Sequence, residues 1–210
     1  MPSVVNDRAR AERAHTCDAL LAVGPTAPTL CEGWTASDLA AHLYIRDNEP
    51  SNAIGALVPM FADRLDSRMT ELKSGDYADL VEKVRRGPSK WSLFAVPAVD
   101  AVANGVEFLI HGMDVRRAND LPEPDRDEEF QSWAWSQLAR VGKLTLGRPP
   151  VALALEWSRR PERVVRVGSG NRVVSVIGEP TELLLYAFGR RTAADVRYVG
   201  LESAVDEARR

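Results

Sequence analysis

Glu107 and His111 stand four residues apart in AVANGVEFLIHGMDVRRA. The apolar spacing around them predicts a helix over 98–119, so one turn stacks a carboxylate and an imidazole on one face. His42 lies in a second predicted helix, DLAAHLYIRD, on a stripe shared with Leu39, Leu43 and Arg46 that packs inward. Two imidazoles and a carboxylate from two helices suit a divalent ion with an open coordination position. Zinc fits that donor set; nickel, iron or manganese would also bind, and availability decides among them. The plainer alternative is a hydrogen-bonded core histidine beside a Glu-x-x-x-His spacing that recurs by chance in helices.

Other polar residues cluster in sequence around these. Asp114 follows Glu107 and His111 along the same helix edge, where it could ligate, orient an imidazole, or pair with Arg116 or Arg117. Arg116 and Arg117 could in turn receive a substrate carboxylate or serve structure alone. His15, Glu32 and Cys31 are further conceivable participants. Nothing at ligand spacing accompanies His15, and Cys31 sits in the loop feeding the His42 helix, where a free cysteine commonly ends as a small buried hydrophobe. Trp133 and Trp135 are expected to pack the domains together.

The elements that must position these residues are mostly helical. Residues 6–23 read as a helix ended by Gly24-Pro25. Thr35 is placed to cap the next helix, with Asp38 completing a short capping box and Trp34 able to staple onto Leu39. Weaker helical patterns cover 53–72, interrupted by Pro59, and 76–86, stopped by Gly87-Pro88. A further helix is expected over about 127–141. Near Gly147 the period changes: VALALEW, RVVRVG and RVVSVIG read as strands, with Gly168-Ser169-Gly170-Asn171 as a turn. EPTELLLYAFGRR reads as a compact helix, followed by a last strand, DVRYVG. The chain therefore reads as α+β, with an all-helical domain over 1–146 and a small α+β domain over 147–210.

Composition narrows the function classes. Of 210 residues, 45% are apolar, enough for a real core. The formal net charge of −3 comes from interspersed charges, so no basic stripe argues for nucleic acid. No apolar run reaches a membrane span, and MPSVVNDRARAERAH lacks the apolar centre of a signal peptide. A cytoplasmic protein without nucleic-acid or membrane partners is the expectation. Cys17 and Cys31 are too few for a disulfide framework and are expected to stay reduced.

The stretch LCEGWTASDLAAHL, followed about sixty residues later by VEFLIHGMDVRRA, resembles the metal-binding helical domain of the mycothiol-dependent maleylpyruvate isomerase family, within the wider DinB-like four-helix bundles. GEPTELLLYAFGRRTAADVRYVG resembles the sterol-carrier-like C-terminal domain that accompanies that bundle. The resemblance implies a metal triad at His42, Glu107 and His111, a zinc-type ion, and mycothiol as the small-molecule thiol acting on an electrophilic substrate. Relatives tend to read His-His-Glu-Asp where this chain has His111-Gly112-Met113-Asp114, so one further imidazole is missing. Two readings follow. One is a thiol-dependent isomerase or thiol transferase, and the other is a non-catalytic metal-binding module serving as sensor or scaffold.

Overall fold

A computed structural model describes residues 4–49, 62–88 and 104–209. Their packing divides the chain into two compact units, one ending at Pro124 and the other beginning at Asp125. The described residues of the first are helical, in α1 (Val4–Val23), α2 (Ala36–Asn48), α3 (Ala62–Lys73), α4 (Tyr77–Arg86) and α5 (Gly105–Ala118). The expected helical stretches at 53–61 and 98–103 lie outside the described residues. None of the described helices is long and apolar enough to cross a membrane.

The start of α2 is fixed by the chemistry read from the sequence. Thr35 N donates to Asp38 Oδ2 at 2.9 Å, and Asp38 N donates back to Thr35 Oγ1 at 3.4 Å. A cap of this kind is typically worth about 1 kcal/mol. From that start Leu39, Ala40 and Leu43 turn into the core, while His42 stays half-buried at its margin. They join Cys17 and Leu20 of α1, Leu80, Val81 and Val84 of α4, and Phe108 and Val115 of α5. Full burial contributes about 1.5–3 kcal/mol for each large aliphatic side chain.

Helix α5 approaches α1 through Gly112, where a Cβ would lie 2.8 Å from Thr16 Oγ1. The same hydroxyl donates to the Phe108 carbonyl at 2.8 Å. With Phe108 and Gly112 turned to α1, the Glu107, His111 and Asp114 edge is left for other partners. A buried ion pair fixes the frame: Arg13 reaches Asp47 of α2, donates to the Val84 carbonyl of α4 at 3.2 Å, and lies 4.2 Å over the Phe108 ring of α5.

The second unit contains α6 (Glu128–Leu146), β1 (Ala152–Trp157), β2 (Arg160–Val167), β3 (Val173–Gly178), α7 (Pro180–Ala187), β4 (Arg197–Val199) and α8 (Glu202–Arg209). Its sheet runs β2-β1-β3-β4, with β1 antiparallel to β2 and parallel to β3, and β3 antiparallel to β4. The Gly168 turn therefore carries the chain from one side of β1 to the other rather than closing a hairpin. Central β1 is buried on both faces from Ala152 to Leu155, which explains the apolar run there.

The α+β class follows the sequence reading, but the division of the chain falls earlier than the expected 146/147. Helix α6 packs within the second unit. Gln131 Nε2 donates to Thr181 Oγ1 at 3.3 Å, Thr181 N donates to Gln131 Oε1 at 3.2 Å, and Trp135 stacks on Trp157 with centroids 6.0 Å apart. Trp135 is thus a core residue of that unit. The C-terminal α8 had no counterpart in the sequence reading; the Tyr186 hydroxyl holds it through the Ala208 carbonyl at 2.7 Å.

Candidate metal centre

The capped α2 and the Gly112-seated α5 bring His42, Glu107 and His111 together. Glu107 Oε1 lies 3.2 Å from His42 Nε2 and 3.2 Å from His111 Nε2, and one ligating atom from each of the three lies within 4.8 Å of the others. The rings of His42 and His111 meet edge-on at 5.4 Å, and Trp34 covers His42 at 5.1 Å between centroids. Side-chain exposure grades from 20% at His42 and 21% at Glu107 to 10% at His111 and none at Asp114. The cluster is therefore rooted in the core and open at the His42–Glu107 side.

Asp114 meets the other face of the imidazole. His111 Nδ1 lies 2.9 Å from Asp114 Oδ2, and the Cys31 thiol donates to the same oxygen at 3.2 Å. Of the roles open to Asp114 in the sequence, contact with an imidazole is the one in these hydrogen bonds. Cys31 reaches this point because its loop is tied to α5. Leu30 N donates to the Asp114 carbonyl at 3.2 Å, Cys31 N to Thr29 Oγ1 at 3.2 Å, and Thr29 Oγ1 to the Trp34 carbonyl at 2.9 Å.

Electrostatics follow from that geometry. Burial opposes a charge on Glu107, yet hydrogen bonds from His111 and His42, with the positive charges of His111 and Arg46, hold its carboxyl well below the usual carboxylate range. Burial likewise opposes a cation at His111, but its bonds to Asp114, Cys31 and Glu107 prevail and push the imidazole well above its ordinary value. His111 thus lies between two carboxylates, which favour its protonated form.

Among the described residues, Arg46 reaches the cluster as a cation, with Nε 3.4 Å from Glu107 Oε1 and Nη1 donating to Asn104 Oδ1. Arg116 donates to the carbonyls of Pro122 at 2.7 Å and His15 at 3.0 Å, and Arg117 to Glu123 at 3.1 Å. These contacts tie α5 to the following segment and to α1. His15 is 3.6 Å from Glu12, and neither His15 nor Glu32 joins either of the clusters with metal-ligand geometry. Arg46 was legible only as a member of the inward stripe with Leu39, His42 and Leu43. Gly112 faces Thr16, so this position of α5 is a packing site.

Two nitrogens and one carboxylate oxygen, convergent and half-open, fit a divalent ion in donor type and spacing.

No protein-family model matches the chain, and no curated protein matches its sequence. Among solved structures it is similar to the crystal structure of the mycothiol-dependent maleylpyruvate isomerase and to that of a histidine-to-alanine variant of that enzyme. Each has a TM-score of 0.54 and 17% sequence identity, and the alignment covers 92% of this chain and 91% of the other. At that identity the likeness establishes the fold, over nearly the whole of both chains.

Proposed function

We propose that this protein is a metal- and thiol-dependent enzyme, an isomerase or thiol transferase, whose centre is built from His42, Glu107 and His111. The observation that carries the reading is the convergence of these three donors from two helices on one half-open point. The shared fold with a mycothiol-dependent maleylpyruvate isomerase supports it, and so does the resemblance of the helical segments to that family's DinB-like bundle. By that analogy the ion is zinc, with nickel as an alternative, and the thiol is mycothiol.

When bound, a divalent ion supplies positive charge that lowers the pKa of a thiol or water near it, giving a nucleophile near neutral pH. The chain's own residues prepare that site. Asp114 accepts from His111 Nδ1 and so turns Nε2 toward Glu107 and His42. Arg46 adds its positive charge to the histidine hydrogen bonds that hold the Glu107 carboxyl low, and Trp34 packs against the His42 ring. An anionic substrate would find its cation on Arg116 or Arg117 only if one released its present partner.

That engagement of both arginines favours the second reading, a metal-binding module without turnover. The test is consumption of maleylpyruvate or another electrophile by metal-loaded protein with and without mycothiol. Thiol-dependent turnover that falls with Glu107→Gln supports the enzyme. Absence of both mycothiol binding and turnover in fully loaded protein leaves the module.

A further inference from the structure

We propose that Cys31, His111 and Asp114 form a second metal position, selective for thiophilic ions, on the Nδ1 side of the His111 ring. It does not rest on the function proposed above, because it uses the other ring nitrogen and two donors outside that centre. Cys31 Sγ lies 3.2 Å from Asp114 Oδ2 and 3.9 Å from His111 Nδ1, and Nδ1 lies 2.9 Å from Oδ2. All three donor atoms fall within 4.8 Å of one another. An ion bound tetrahedrally to sulfur at about 2.3 Å and to nitrogen and oxygen at about 2.0–2.1 Å keeps its donors roughly 3.3–3.6 Å apart. Shifts of about half an ångström therefore convert the hydrogen-bonded cluster into a coordination set.

The sulfur ligand sets the selectivity. Thiolate favours soft ions, whereas the His42, Glu107 and His111 set has only nitrogen and oxygen. The position is also built in advance. Asp114 is fully buried, and the Cys31 loop is anchored to the Asp114 backbone by Leu30 N and held internally by Thr29. The other thiol, Cys17, cannot substitute, because it is buried in the core against the Val81 carbonyl and burial pushes it up to about 12. The Nδ1 atom cannot hold a proton for Asp114 and an ion at the same time. A thiophilic ion here would take the place of that proton between Nδ1 and Asp114 and share the His111 ring with the first centre.

The experiment titrates the reduced full chain, without an affinity tag, with Co(II) and Cd(II) under anaerobic conditions and records sulfur-to-metal charge-transfer absorption. Wild type and His42→Ala should both develop the band, and Cys31→Ser should lose it. Asp114→Asn, as a second variant, should weaken at least tenfold the Cd(II) binding that the sulfur band reports. No band in wild type, a band that survives Cys31→Ser, or an unchanged Cd(II) dependence of that band in Asp114→Asn would overturn the proposal. His42→Ala separates the two centres, since its loss of binding with an intact sulfur band speaks only to the first.

Discussion

His111 Nδ1 lies 2.9 Å from Oδ2 of Asp114, a carboxylate with no exposed surface. A buried carboxylate on one ring nitrogen fixes the tautomer and raises the basicity of the other. Asp114→Asn keeps the shape and removes the charge. It should lower divalent-ion affinity at the His42, Glu107 and His111 centre by about 10–100-fold. Calorimetric titration of the variant checks this, and an unchanged affinity would take Asp114 out of the metal account.

The same contact makes the metal-free protein sensitive to pH. The folded-state value for His111 is raised above 6.5, so its stabilisation is complete below 6.5 and is lost as pH rises through the raised value. Glu107 is depressed below 4.5, so its contribution is present above 4.5 and is lost as pH falls through the depressed value. Thermal unfolding of chelator-treated protein should show Tm declining on the alkaline side, and less so in His111→Gln. An equal decline in both would assign the effect to other groups.

Gly112 has no room for a side chain, since a Cβ would sit 2.8 Å from Thr16 Oγ1. Gly112→Ala should destabilise the chain by about 1–3 kcal/mol through overpacking. Thr16→Ala removes the opposing atom, so the double variant should be less destabilised than the sum of the singles. Strict additivity in chemical denaturation would show that the α1–α5 approach is not set by this pair.

The buried pair of Arg13 and Asp47 ties α2 to α1 and α4. Asp47→Ala strands a buried cation and should cost about 3–5 kcal/mol, whereas Arg159→Ala, whose ion pair with Glu179 is exposed to solvent, should cost far less. Equal losses in urea denaturation would contradict the burial argument.

The parts of this molecule legible in the sequence are those set by local rules. Thr35 and Asp38 form the capping box their spacing announced. The helical period then puts His42 at the edge of the core and puts Glu107 and His111 one turn apart. What was not legible depends on contacts distant in sequence. Cys31 belongs to a loop with no period, and bonds distant in sequence, Leu30 to Asp114 and Asn119 to Pro28, bring its sulfur to His111. Arg116 and Arg117 looked placed for a substrate, but the carbonyls of Pro122 and His15 and the carboxylate of Glu123 take them. The amphipathic pattern of α6 showed that it packs and not on what, so Trp135 meeting Trp157 could not be foreseen. The C-terminal α8 is short and polar, and its place depends on Tyr186.

The central claim is that His42, Glu107 and His111 hold one ion together, and the most direct measurement is zinc affinity in a Cys31→Ser background, where the sulfur position is disabled. Tag-free Cys31→Ser protein should bind a single equivalent of zinc, and adding His42→Ala or Glu107→Gln should weaken binding by at least about 100-fold, on the order of 2.7 kcal/mol. Zinc bound equally well by Cys31→Ser and by its His42→Ala derivative would contradict the account.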